Sequence, residues 1–99
     1  MIKGIILIPT RALKHKLELH MVVARELKNS EIVERYNATA RSGFFVSEQG
    51  IQTVALHHVM KERFGASPVE ITENCLVSVT EEVKLVGNEL YYFNGHRVG

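Results

Sequence analysis

Pro68-Val69-Glu70-Ile71-Thr72-Glu73-Asn74-Cys75-Leu76-Val77-Ser78-Val79-Thr80-Glu81-Glu82-Val83-Lys84-Leu85-Val86-Gly87-Asn88-Glu89-Leu90-Tyr91-Tyr92-Phe93-Asn94-Gly95-His96-Arg97-Val98-Gly99 closes a chain of 99 residues. Short runs rich in Val, Ile, Leu and Tyr alternate here with turn residues, the pattern of an antiparallel meander. The expected strands are Val69 to Thr72, Leu76 to Thr80, Val83 to Val86 and Leu90 to Phe93, with a stub at Arg97-Val98. Gly87-Asn88 suits a tight hairpin turn, and Asn94-Gly95 is a type I′ signal.

Upstream, the hydrophobic period changes from two to about 3.6. Leu13, Leu17, His20, Met21, Ala24 and Leu27 share one stripe of a helix expected from Arg11 to Lys28, with Thr10 as its N-cap. Asn29 and Ser30 separate it from a second helix, about Glu31 to Arg41, which buries Ile32, Val33, Tyr36 and Ala40 and stops at Gly43. Phe44-Phe45-Val46 reads as a brief strand. A third helix, capped by Ser47, runs from about Glu48 to Phe64 and ends at Gly65. Its apolar residues fall on two nearly opposite faces. Ile51, Val54, Ala55, His58 and Val59 form one, and Leu56, Met60 and Phe64 form the other. Such a helix is buried on two sides. The apolar run at 2–8 reads as a strand covered on both faces that joins the C-terminal sheet.

The expectation is a single α+β domain over residues 1–99 in the order β-α-α-β-α, followed by a three- to four-stranded antiparallel β-meander. The helical part spans about 10–65 and the meander about 69–98. The alternative is a winged-helix-like arrangement, because two helices followed by a hairpin imitate one.

Charge argues against the winged helix as a DNA clamp. Residues 1–46 hold eight Lys/Arg against four Glu, whereas residues 66–99 hold two against five. The hairpin would present Glu81, Glu82 and Glu89 with only Lys84, which opposes phosphate. The basic residues cluster instead at Lys3, Arg11, Lys14, His15 and Lys16. Arg11, Lys14, His15 and Lys16 are therefore the candidate phosphate or nucleic-acid contacts, near a helix N-terminus. Glu18 is positioned to pair with Lys14 one turn away.

Ile5-Ile6-Leu7-Ile8-Pro9-Thr10-Arg11-Ala12-Leu13 resembles the strand–Pro-Thr-Arg–helix segment of superfamily 2 helicases, which contacts a nucleic-acid backbone near a helix N-terminus. The resemblance covers nine residues. The ATP-handling motifs are missing and the chain is too short for two motor domains. It implies a strand–turn–helix junction and nothing of the motor.

Composition narrows the chemistry. All eleven acidic residues are Glu, so Asp clusters, EF-hand loops and Ser-His-Asp triads are excluded. Nucleotide-binding glycine loops and the Gly-x-Ser-x-Gly elbow are absent. The five histidines lack the i, i+4 spacing of a helical zinc pair, so no metal or cofactor is expected. His20 and His58 read as core-facing. The single cysteine, Cys75, at the start of a strand, reads as a buried structural thiol in a reducing, cytoplasmic setting. The N-terminal apolar run is too short to span a membrane.

Three functional classes remain. The leading one is a small non-enzymatic intracellular partner-binding protein, self-associating as a homodimer or binding another protein. Its candidate contacts are Leu56, Met60 and Phe64 together with Leu90, Tyr91, Tyr92 and Phe93. The second is a nucleic-acid-associated regulator using the basic patch. The third is an acid–base enzyme using His57 or His58 with a Glu.

Overall fold

A computed structural model describes residues 4–99. Its elements are β1 (Gly4–Ile6), α1 (Arg11–Glu26), α2 (Asn29–Ser42), α3 (Ser47–Phe64), β2 (Glu70–Ile71), β3 (Leu76–Ser78), β4 (Val83–Val86) and β5 (Glu89–Tyr92). This is a single α+β arrangement whose order roughly matches the expected one, without the brief strand expected between α2 and α3. The part of the first strand at 2–3, and Lys3 of the basic cluster, lie outside the described residues.

The helix boundaries follow from local chemistry. Thr10 has an extended backbone, and its hydroxyl accepts from the Leu13 N–H at 3.1 Å, so it caps α1 as expected. Asn29 and Ser30, read as a break, instead form the first turn of α2. The break is shorter because Glu31 reaches back to the Lys28 N–H at 3.0 Å and starts the helix there. At α3 the capping position is Val46, not Ser47. Gln49 Oε1 accepts from both Phe45 N and Val46 N, so a side chain three residues into the helix satisfies its entry. Among the described residues no strand runs over 44–46; Phe44 is a lone β-bridge residue and is buried, while Phe45 and Val46 are exposed. Gly43 and Gly65 stop α2 and α3 with positive φ.

Helix α3 is buried on two sides. Ile51, Ala55 and Val59 are enclosed on one, and Leu56, Met60 and Phe64 on the other. Helix α1 packs along α3, with Lys16 and His20 near Glu48 at one end and Arg25 bonded to Glu62 at the other. The two helices therefore run in the same direction, and α2 returns the chain between them. The Arg63 guanidinium holds the α1–α2 junction against the end of α3. It donates to the carbonyls of Arg25 (2.7 Å) and Leu27 (2.6 Å) and to Asn29 Oδ1 (3.0 Å), satisfying carbonyls that the end of α1 leaves open. Enclosed in this way, α3 leaves exposed a strip that includes Glu48, His58, Lys61 and Glu62. That strip is mixed in charge and partly bonded to α1, which does not suit a major groove, and the winged-helix alternative is not supported.

The meander is not one sheet. The first strand does join it: β1 pairs with β3 antiparallel and β3 with β2, giving the order β1-β3-β2. Strands β4 and β5 form a separate hairpin. The cause lies in α2. The Tyr36 hydroxyl donates to Glu81 O (2.9 Å) and accepts from Thr80 N (3.3 Å). The Asn37 side chain bonds both Val83 N and Val83 O at 2.8 Å. Backbone groups that would continue the ladder from β3 to β4 are thus satisfied by helix side chains, and the hairpin turns onto α2. Arg41 adds an ion pair to Glu82 at 2.6 Å.

Two further expectations are corrected. Ile6 and Ile8 are 62% and 71% exposed, so β1 is covered on one face only. Ile5 and Leu7 approach α3 at Gly50, where a Cβ would lie 2.7 Å from Ile5 Cγ2. Asn94-Gly95 is not a type I′ turn, since Gly95 has positive φ and Asn94 does not. The bonds Gly95 N to Tyr92 O and Tyr92 N to His96 O close a three-residue loop with glycine in its left-handed position. Arg97 forms an isolated bridge to Tyr91 instead of a strand.

The β2–β3 loop repeats that hydrogen-bond pattern, with Cys75 N bonded to Thr72 O and Thr72 N to Leu76 O. Its left-handed residue is Cys75, at φ 63°. The cysteine is half-buried in a turn and not an enclosed strand residue. An L-residue there costs about 1–2 kcal/mol relative to glycine. Opposite effects are expected in urea unfolding. Cys75→Gly stabilises by up to about 1 kcal/mol, the relief being partly offset by unfolded-chain entropy. Gly50→Ala destabilises by about 1 kcal/mol, because overpacking against the stiff Ile5 side chain (about 1–3 kcal/mol) outweighs alanine's helix propensity. Loss of stability in the first variant, or gain in the second, overturns these readings.

Candidate association surface

Helix α1 buries one stripe against α3, as its period requires, with Ala24 enclosed and Leu13, Leu17, Met21 and Leu27 packed at the core's edge. The same helix carries a second apolar group on its outward side. Leu19, Val22 and Val23 are 56%, 59% and 51% exposed. Spacings of three and four residues make them neighbours on the helix surface. At the N-terminal end of this face stand Arg11 and His15, and at the C-terminal end stands Glu26, all exposed.

The basic patch is on the surface, as expected of a contact. Arg11, Lys14, His15 and Lys16 are all exposed, and the first turn of α1 contains no acid. Lys16 lies 3.8 Å from Glu48, whose other oxygen is 2.7 Å from His20 Nε2. The hydrogen bond from His20 holds the Glu48 carboxyl below its ordinary range. The anticipated Lys14–Glu18 ion pair is not among the ion pairs of the described residues.

The interface candidates divide. Leu56, Met60 and Phe64 of α3 are 2%, 0% and 8% exposed, packed in the core, and offer nothing to a partner. Leu90 is likewise enclosed, and Tyr92 packs against the core. The Tyr91 hydroxyl donates to Glu89 at 2.8 Å. Only Phe93 is well exposed, with Lys84 Nζ 5.9 Å from its ring centre. The Leu19, Val22 and Val23 group was missed by sequence reasoning, although its spacing was visible. The buried stripe of α1 explained the helix without it.

The histidines do not converge. His57 Nδ1 lies 2.8 Å from Ser67 Oγ, which also accepts from Val69 N at 3.2 Å. His58 is exposed, not core-facing, and its ring centre is 5.4 Å from that of His57. His20 is half-exposed beside Glu48 and bonds no backbone carbonyl. Among the described residues no group of three or more His, Cys, Asp or Glu is placed to hold a metal.

Between the helices, Arg35, Ala38, Thr39, Ser42, Gln49 and Gln52 line a shallow depression of ≈ 280 Å³. It contains neither His57 nor His58, so the acid–base reading gains no concave site from it. No helix among the described residues is long and apolar enough to cross a membrane. Comparison of the chain with protein-family models, curated proteins and solved structures returns no match.

Burial is the main reason that the His57 pKa lies below its ordinary value, and the neighbouring His58 and Lys61 depress it further. The folded state therefore binds this proton less readily than the unfolded chain does. Stability is full above the unfolded value near 6.5 and falls as pH drops from there toward the depressed folded value. Glu48 and Glu62 are lowered by their partners and act in a separate, more acidic window, below 4.5. Urea unfolding is expected to show lower stability at pH 5.5 than at pH 7.5, with His57→Gln flattening that difference. An equal slope in the variant excludes His57 as its source.

Proposed function

We propose that this chain is a small non-enzymatic protein that acts by associating with protein, a second copy of itself in the first instance, through the outward side of α1. The exposed group Leu19, Val22 and Val23 carries the reading. It lies on a helix whose other apolar stripe already satisfies the core, so the fold does not require it. Single exposed apolar residues are ordinary, but a contiguous group with charges at its ends has the composition of a contact patch. One helix side is a small area, so the association expected is reversible. Sedimentation equilibrium across the micromolar range is expected to show a monomer–dimer equilibrium, weakened by Leu19→Asp and Val22→Asp. A strictly monomeric wild-type protein at the highest attainable concentration excludes self-association.

The second reading is contact with a nucleic-acid backbone at Arg11, Lys14, His15 and Lys16. The exposure of all four, beside a first helical turn free of acids, favours it. It requires affinity for single- or double-stranded DNA or RNA that falls steeply with salt. Arg11→Glu/Lys14→Glu is expected to abolish that binding. Unchanged binding by this double variant removes the surface from consideration.

A further inference from the structure

The charges along the outward side of α1 specify how a second copy would seat on it, an inference that rests on the self-association reading above. Arg11 and His15 are one turn apart near the start of the helix, and Glu26 is its final residue. All three are exposed, and none takes part in an ion pair among the described residues. The segment from His15 to Glu26 spans eleven steps, or about 16 Å of helix. Leu19 and Val22 lie between them. The midpoint of Leu19 and Val22 falls between residues 20 and 21. So does the midpoint of His15 and Glu26.

That coincidence is what a two-fold axis requires. Rotating a second α1 about an axis through this point sets Leu19 against Val22 of the partner subunit. The same rotation sets His15 against Glu26 of the partner subunit. In an isologous contact each pairing occurs twice, so one charge pattern serves both ends. Arg11, one turn before His15, stands beside the same carboxylate and supplies the permanent positive charge. The two helix dipoles run in opposite directions, which is also favourable. A parallel pairing would instead place Arg11 and His15 against themselves and Glu26 against Glu26. An anionic surface would be repelled at the Glu26 end. The Arg11, His15 and Glu26 charges are complementary only when antiparallel, and the exposed Glu18 then falls opposite Val23 of the partner subunit.

We infer that two copies of this chain associate through an antiparallel α1–α1 contact centred between residues 20 and 21, with Leu19 and Val22 at its middle and Arg11 and His15 facing Glu26 of the partner subunit at each end. Val23 borders the central pair and also lines a small pocket with Ala24, Leu27 and Arg35.

Charge exchange tests the register. His15→Glu places two carboxylates against each other at both ends, and Glu26→Lys opposes Arg11 with a second cation at both ends. Each single variant is expected to weaken dimerisation by about tenfold or more at low salt, since symmetry repeats the altered contact. The double variant His15→Glu/Glu26→Lys restores it. Mixing the two single variants is expected to give a heterodimer, because Glu26 of one then meets His15 and Arg11 of the other, while the introduced Glu meets the introduced Lys. Circular dichroism of each variant confirms that the fold is retained, and native mass spectrometry reads the species. Single variants that dimerise like the wild type overturn this register while leaving self-association in place. Failure of both the double variant and the mixture to restore dimers overturns the His15–Glu26 pairing. A wild-type protein that is monomeric throughout overturns the self-association reading, and the inference with it.

Discussion

Helix α3 has apolar side chains on two nearly opposite faces, and the chain must supply a separate cover for each. One cover is α1, running in the same direction. Between them α2 brings the chain back and adds Ile32, Tyr36 and Ala40 to the common core. The β1-β3-β2 sheet closes the remaining side, where Ile5 and Leu7 approach Gly50. Burial of each large side chain on α3 is worth about 1.5–3 kcal/mol, so this helix alone commits several such contributions. The polar contacts at its ends then fix direction. Arg25 with Glu62, Lys16 and His20 with Glu48, and the Arg63 guanidinium on the open carbonyls of α1 set where the helices start and stop relative to one another. Their exposed ion pairs add little energy but exclude other registers.

The second organising contact is between α2 and the segment at 80–83. Tyr36 and Asn37 present side-chain groups that accept and donate as a neighbouring strand would. The backbone at Thr80, Glu81 and Val83 is therefore bonded without a β-ladder, and the meander divides into two sheets. The burial that encloses the Tyr36 ring also raises the pKa of its phenol, keeping the hydroxyl neutral and able to donate. A helix tyrosine and asparagine thus decide the topology of strands more than forty residues later.

What could be read from residue order was whatever depends on neighbours within one or two turns. Thr10 as a cap, glycine at the ends of α2 and α3, the two-sided α3 and the Gly87-Asn88 hairpin are all local features. The misread features depend on distant partners. The split of the meander depends on Tyr36 and Asn37. The one-sided cover of β1 depends on which helices reach it. The left-handed Cys75 was hidden because a cysteine carries no turn signal, although its loop has the same hydrogen bonding as the one containing Gly95. For the candidate site, the basic patch was legible as a surface feature because four charged or polar residues cannot be enclosed unpaired. The doubly apolar α3 was legible as well, but whether its second face met another subunit or α2 was a tertiary question. It meets α2.

The charge asymmetry between the two halves of the chain also changes meaning once the pairs are placed. Part of it is complementarity within the monomer: Arg41 of α2 pairs with Glu82, and Arg97 approaches Glu89 at 3.5 Å. These contacts hold the hairpin to itself and to the last turn of α2, a helix whose own charges balance at two Glu and two Arg. Arg11, His15 and Glu26 have no such role in the fold, and neither do the exposed Leu19, Val22 and Val23 between them. Apolar exposure on a helix is a solubility liability that polar residues would remove without loss to the core. On α1 it is instead bounded by opposite charges in an order that a two-fold rotation matches to itself. The internal packing of the chain does not account for that order, whereas the proposed two-fold contact uses it.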